Sequence, residues 1–558
     1  MRLQSLTRSV KSAISVICAA QLLAVSLATE PKQASNGVRN VAIIGAGAAG
    51  ASTAYYLRKY AEEYDLSINI TVFERTDRIG GRTLTIQPFD ISGPSESVEL
   101  GASIFIKLNA ILYNATLDFG LDTTTREDDG IGGILAFWDG DHIRFDIDDS
   151  HSKWRTSARL VWRYGYFALK NSQALVQKTV AKFLNLYEPP YFPFESLTQR
   201  TYELELLEET SLTGEEFLRK NKIPDLLSHE FIQALTRVNY ASNLAHIHGL
   251  ETMVSTAPEG AMSVVGGNWR IFEEMVQASH ATLLSNTSVA HIDLEKRDPA
   301  SPTPKYILKT KSSSDYSALE ETQDVAFDDV VVATPYQFSK ISTTEGLLEK
   351  TIEEIPYIKL HVTIFSSPFQ LSATYFKVAP SKVPTTVLTT LADGESPLDG
   401  VQGAGKAGFY SISTLRRVLN PKTGTTEYLY KIFSPEKVTP EFLSALLGVE
   451  VPDNFNGKAD NDDTHAQAVE PISWYYPHVF NSYPKGFPRV TFQDPVIADG
   501  LYYTSGMESF ISTMETSALM GKNVARLIVD NILGVDTEKA VFIEKLDDDL
   551  EQSLLQEL

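Results

Sequence analysis

The chain of 558 residues contains a single cysteine, Cys18. It lies in an N-terminal stretch that carries Arg2, Arg8 and Lys11 and then the apolar run "AISVICAAQLLAVSLA". Small residues at Ser26 and Ala28 close that run in the pattern of a secretory signal peptide, expected to span 1–28. The run is shorter than the ~20 apolar residues that a bilayer span needs and is interrupted by Gln21, so no stable membrane span is expected. Removal of this segment leaves a mature chain with neither disulfides nor thiolate chemistry, which excludes cysteine proteases and iron–sulfur proteins. Positive charge is also scarce: 49 Lys and Arg stand against 71 Asp and Glu, a formal net charge of −22. No long run of basic residues could follow a phosphate backbone, and nucleic acid is excluded as a partner. Internal repeats and low-complexity tracts are absent.

What is present begins with "VAIIGAGAAGAS". Residues 40–44 read as a short buried parallel strand and 48–60 as a helix, which puts Gly45, Gly47, Ala48 and Gly50 at a strand-to-helix turn. In such a turn Gly45 permits the sharp bend, Gly47 lets a pyrophosphate approach the backbone, and Gly50 lets the helix pack on the strand. A second strand, "INITVFER", ends at Glu74 and Arg75, at the distance where a carboxylate accepts from ribose hydroxyls. The next segment, "RTDRIGGRTLT", sets Gly81 beside Arg82, and a glycine pair flanked by arginines suits the diphosphate of FAD better than a nicotinamide dinucleotide.

Further pieces follow at long intervals. "VELGASIF" offers Gly101 and Ala102 for close approach of a ring system, and "NTSVAHIDLEK" offers Val289 for the adenine side. "FDDVVVATP" is a third buried strand, ending at Thr334 and Pro335, and "ADGLYYTSGMES" brings Gly506 and Met507 ahead of a final helix. These pieces predict an α/β fold with a Rossmann-like FAD-binding domain assembled discontinuously from 38–110, 264–341 and 499–535. The inserts 111–263 and 342–498 are too long and too aromatic to be loops, and are assigned to a substrate domain. Helix is the dominant expectation for the first insert. The second, with "YIKLHVTIFSS", "VPTTVLTTL", "GFYSISTL" and "EYLYKIFS", reads as an antiparallel sheet with one buried face. The stretch "ADNDDTHAQ" reads as a solvated loop and 536–558 as an acidic tail.

N-x-S/T sequons occur at Asn69, Asn114 and Asn286. Asn69 falls in a predicted strand and is expected to be too buried for a glycan, leaving Asn114 and Asn286. With the leader they place the protein in the secretory pathway, in a vacuole or lysosome or outside the cell.

The first segment resembles the flavin-containing amine oxidase superfamily. The segments "VWRYG", "RVNY", "VVGGNW", "LHVTIFSS", "YKIFSPE", "WYYPH" and "LYYTSGMESFISTMETSA" resemble, in order, those of the prenylcysteine oxidase (prenylcysteine lyase) family. The resemblance covers nearly all of the mature chain; the loop around Asp460–Thr464 and the acidic tail depart from it. It implies an FAD-dependent oxidase acting on a sulfur donor with oxygen as acceptor. Farnesyl- or geranylgeranyl-cysteine, O2 and water would give the prenyl aldehyde, cysteine and hydrogen peroxide, by hydride transfer from prenyl C1 to flavin N5. With no mature cysteine, the FAD is expected to be noncovalent.

Hydride loss from a carbon that is both allylic and next to sulfur needs no strong base, so no catalytic triad and no metal is expected. Tyr240, His246, His248 and Glu508 are the candidates for assisting the water, and Arg163 or Lys359 for meeting the cysteine carboxylate. Two other readings stay open: a secreted FAD oxidase of an amine or another apolar metabolite, and a prenyl-lipid carrier in which flavin is structural.

Overall fold

The computed structural model describes residues 37–535, apart from 92, 94–96, 126–131, 258–259, 295–304, 313–319, 322–325, 454 and 456–469. The expected signal peptide with Cys18, the loop around Asp460–Thr464 and the tail 536–558 lie outside the described residues.

The strand Arg39–Ile44 is apolar over its last four residues because both of its faces are covered: Val41, Ala42 and Ile43 are fully buried. It is central in a six-stranded sheet whose order is 496–498, 501–503, 329–332, 39–44, 68–73 and 282–284. All neighbouring strands pair in parallel except the edge strand Val496–Ala498, which runs antiparallel to Leu501–Tyr503. The sheet is therefore of the Rossmann type, drawn from three separated stretches of chain. The third strand, Asp329–Val332, ends before Thr334.

One layer against this sheet is a helix pair, Ala48–Glu63 and Met514–Leu533. Their contact is made by small residues. A Cβ on Gly521 would lie 2.3 Å from the Ala49 carbonyl oxygen and 3.0 Å from the Thr53 amide nitrogen, while the Ser52 hydroxyl donates to the Ala518 carbonyl at 2.6 Å. The last helix starts in a capping box of Thr513 and Thr516 and stops at Gly534, in the left-handed conformation at φ +70°.

A second, seven-stranded sheet has the order 474–484, 357–367, 426–434, 411–419, 386–389, 134–138 and 143–148. Its two last strands correct the helical expectation for the first insert. "ILAFW" and "IRFDID" form a hairpin around an Asp-Gly-Asp turn, and Ile134–Trp138 adds in parallel to Thr386–Thr389. The helices Lys153–Tyr164 and Tyr166–Leu184 follow directly. A separate four-stranded sheet includes Thr287–Leu294 and Tyr306–Ser312.

Asn114 and Asn286 are exposed. So is Asn69: it lies in the strand Ile68–Phe73 as expected, but on the outward side near its start, against the expectation of burial. No helix among the described residues is long and apolar enough to cross a membrane.

The Gly521 crossing generates a stability test. Gly521→Ala is expected to lower unfolding free energy by about 1–3 kcal/mol in a denaturant titration, because both clashes are with backbone that cannot step aside.

Candidate active site

The three glycines of the first turn answer to different constraints. Gly45 has φ +107°, and a Cβ there would meet the Ala333 carbonyl at 2.9 Å. At Gly50 a Cβ would lie 1.9 Å from the Gly45 carbonyl oxygen, so no other residue fits. Gly47 is different: a Cβ would touch only the Cα of Gly81, at 3.8 Å. The protein itself leaves room for a side chain at 47, and the position borders a cavity, which is the pattern left where a ligand approaches the backbone.

That cavity measures about 1220 Å³ and is lined by Gly45, Gly47, Ala48, Glu74, Arg75, Gly81, Arg82, Gly101, Ala102 and Val289, among others. Such a volume exceeds the ~300–1,000 Å³ of an ordinary small-molecule pocket, leaving space for a dinucleotide and a second ligand. The N-termini of two helices open on it, at Gly47–Ala48 and at Thr513–Met514, and both favour negative charge. Glu74 accepts from the Ala46 amide at 3.0 Å and from the Thr76 amide and hydroxyl at 2.9 and 2.8 Å. Its carboxylate is thereby fixed at the rim and keeps acceptor capacity for a ribose. These residues fit a dinucleotide cofactor.

Several expected residues take other places. Gly50 does not line the cavity; it packs the helix on the turn. Gly506 and Met507 also face away, Gly506 against Gln493 and Met507 fully buried in the core. The reason is the tight helix Ser505–Ser509, whose three-residue period turns Ser505 and Glu508 to the cavity instead. Arg82 is committed: its guanidinium pairs with Glu508 at 2.6 Å and donates to the Ser482 carbonyl at 2.7 Å. Glu508 also accepts from the Tyr357 hydroxyl at 3.1 Å, so it is an ion-paired brace and not a free base.

Tyr240 lines the cavity, stacked edge-on against Tyr483 at 5.5 Å, with burial holding its hydroxyl protonated well above the usual range. His246 and His248 do not. Ala241 stops the preceding helix in the left-handed conformation, and the chain turns away. His246 donates through Nε2 to the Pro397 carbonyl at 2.6 Å. His248 caps the helix Gly249–Ser255, its Nδ1 accepting from the Glu251 amide. Arg163 is paired with Glu230, Lys359 is exposed, and neither reaches the cavity.

Two polar residues on the cavity wall, Lys431 and Glu99, and the buried Asn268 behind them, were given no role by the sequence reading. Lys431 projects from the middle of Thr426–Ser434, between the buried Tyr430 and Ile432, and donates to the Glu99 carbonyl at 3.1 Å and the Ser103 hydroxyl at 3.0 Å. Burial brings its ammonium down to about 8. The Glu99 carboxylate accepts from the Asn268 amide at 2.6 Å, and burial brings it up to about 7. Asn268, fully buried, ties this wall together by accepting from the Val264 amide and donating to the Ala102 carbonyl. A lysine inside an apolar alternating strand was the available signal for Lys431.

Behind the cavity sits a buried pair. His248 Nε2 and Glu251 Oε2 lie 3.8 Å apart, while Glu251 Oε1 accepts from the Ser512 amide. Burial pushes the carboxyl up to about 8 and the imidazole down to about 3, so both are neutral near neutrality.

With this geometry in hand, the chain matches the family model described as prenylcysteine lyase over residues 147–540 and that of an NAD(P)-binding Rossmann-like domain over 43–114. It is 28% identical to farnesylcysteine lyase of Arabidopsis thaliana, covering 88% of each chain. It is 28% identical to prenylcysteine oxidase 1 of Pongo abelii, covering 87% of this chain and 88% of that one. Among solved structures, cyclohexylamine oxidase from Brevibacterium oxydans superposes with a TM-score of 0.53 at 15% identity, over 89% of this chain and 100% of that one. That likeness shows the flavin amine oxidase type of fold.

Two measurements test the site. Gly47→Val is expected to fold, with the melting temperature of the flavin-free wild type, and to purify without flavin absorbance, because its side chain enters only the ligand's space. Glu251→Gln is expected to flatten part of the pH dependence of stability. The raised folded-state carboxyl contributes fully below its ordinary 4.5 and is lost as pH rises through about 8, whereas the His248 contribution is complete above 6.5. From pH 6.5 to above pH 8 the wild-type melting temperature should therefore fall, and that of Glu251→Gln should fall less.

Proposed function

Because the chain belongs to the prenylcysteine lyase family, we propose that it is an FAD-dependent thioether oxidase that converts farnesyl- or geranylgeranyl-cysteine, oxygen and water into prenyl aldehyde, cysteine and hydrogen peroxide. The observation that carries this reading is one continuous cavity bounded on one side by the dinucleotide turn and on the other by the second sheet, through Ser411, Lys431 and Phe433. When bound, the flavin would supply the hydride acceptor and the route by which two electrons pass to oxygen.

The protein's part is to hold, orient and shield. Gly47, Glu74 and the two helix N-termini hold the dinucleotide. No cysteine lies among the described residues, which supports noncovalent attachment. Phe105, Leu112, Val180, Phe183, Leu184, Val254 and Met262 supply apolar wall for the prenyl chain. Fifteen carbons at ~0.8 kcal/mol per buried methylene represent a gross gain on the order of 10 kcal/mol before ordering costs. Tail burial thus dominates binding. Loss of hydride leaves a cation shared by sulfur and the double bond; water adds to that carbon, and the hemithioacetal breaks into aldehyde and thiol. Lys431 and Glu99, brought by burial toward neutrality, are the wall groups able to hold that water and take its proton.

The exposed Asn114 and Asn286 and the N-terminal segment support a lumenal destination, vacuole, lysosome or cell exterior. The test is direct. Purified protein given farnesylcysteine should release farnesal, cysteine and peroxide in equal amounts. Absence of both aldehyde and peroxide, with an amine or another apolar compound bleaching the flavin under the same conditions, would discard this substrate assignment.

A further inference from the structure

The helices Lys153–Tyr164 and Tyr166–Leu184, bent against each other at Gly165, form a pair that is unlike the rest of the surface. Residues 153–184 contain seven Lys or Arg and no Asp or Glu, in a chain of net charge −22. Three of these cations are neutralised from other elements: Arg159 by Asp146, Arg163 by Glu230 and Lys182 by Glu209. Lys153, Arg155, Lys170 and Lys178 are exposed, and none has an ion pair among the described residues.

Between these free cations stand large aromatic side chains turned to solvent. Trp154 is 74% exposed, Trp162 91%, Tyr166 58% and Phe167 74%. Single exposed apolar residues need no explanation, but four aromatic ones on one helix pair mark a contact surface. Their positions are ordered. Gly165, at φ +87°, breaks the two helices, and Trp162, Tyr166 and Phe167 flank that break, the last two in edge-to-face contact at 5.6 Å. Trp154 and Val161 precede Trp162 by eight residues and one, which puts all three on one helical face.

The inner side of the first helix is firmly seated. Tyr164 is buried edge-on against Phe145 at 5.6 Å, and the Arg159 and Arg163 ion pairs bind the first helix to the body. The outward aromatics are therefore held out by the fold. At its other end the second helix contributes Val180, Phe183 and Leu184 to the cavity wall, so one rigid element joins the aromatic apex to the cavity.

We propose that this helix pair seats the protein on an anionic membrane surface, with the aromatic apex at headgroup depth and Lys153, Arg155, Lys170 and Lys178 on the lipid phosphates. Charge complementarity selects this partner: four unpaired cations and two exposed tryptophans gathered on one helix pair of an acidic protein are the composition of an interfacial element that lies on a bilayer without crossing it. The proposal is independent of the thioether reading, and a lipid-like substrate would reach the cavity along the same element.

The test is co-sedimentation of the full chain with phosphatidylcholine vesicles, with and without phosphatidylserine. Every variant shares the N-terminal segment, so differences report the helix pair. Binding is expected to require phosphatidylserine and to weaken as salt is raised. The double variants Trp162→Ser with Phe167→Ser, and Lys153→Glu with Lys170→Glu, should each weaken it about tenfold or more. Melting temperature and flavin content should stay unchanged, because these side chains are exposed. The proposal is overturned if the wild type stays in the supernatant, or if both double variants pellet as it does. It is equally overturned if the aromatic variant merely converts a dimer to a monomer without any vesicle dependence.

Discussion

The site depends on how closely two helices can approach. Ala48–Glu63 and Met514–Leu533 come from opposite ends of the chain, and their crossing at Gly521 and Ala49 leaves no room for a single methyl group. That contact delivers a second helix N-terminus, at Thr513–Met514, to the same cavity as the first, at Gly47–Ala48. Glu515 follows from the same placement. Its carboxylate accepts from the Ile111 and Leu112 amides, satisfying the orphan donors at the start of a third helix, and burial brings it up to about 7.

Around this frame the cavity wall is kept rigid by groups that resemble catalysts but serve as braces. Arg82 and Glu508 face the cavity from two distant segments and neutralise each other across it. His248 and Glu251 are buried side by side in forms that carry no charge, one as a helix cap and the other holding the turn before the last helix. A mechanism that removes hydride from a carbon activated by sulfur needs shape and dryness more than acid–base strength, and a wall of committed ion pairs suits that need.

Much of the fold was legible because glycine leaves unambiguous marks. At Gly45 and Gly50 local backbone geometry forbids a side chain, and the turn can be read from a dozen residues. Glu74 was legible for the same reason, since it lies one strand away in sequence and beside the turn in space. Errors arose where direction in space was needed. His246 and His248 look available in "NYASNLAHIHG", but one left-handed residue, Ala241, turns them from the cavity. Gly506 and Met507 were misjudged by one face of a three-residue helical turn. The hairpin 134–148 was missed because its strands are stable only as an edge added to strands from residue 386 onward.

By itself the sequence determined the local conformations and the chemical types available: a dinucleotide turn, a chain without mature thiols, alternating strands, a final apolar helix. The one cysteine lies in the N-terminal segment, and its loss from the mature chain is an expectation; the other features follow from steric limits and hydrophobic period, which act over a few residues. Only the tertiary structure decided which side chains share the cavity, because that depends on contacts between residues hundreds of positions apart. Lys431 meets Glu99 and Ser103 across two sheets, Arg82 is spent on Glu508, and Trp162 is left in water while Trp138 is enclosed. Burial, pairing and exposure are properties of the assembled core, and no local pattern encodes them.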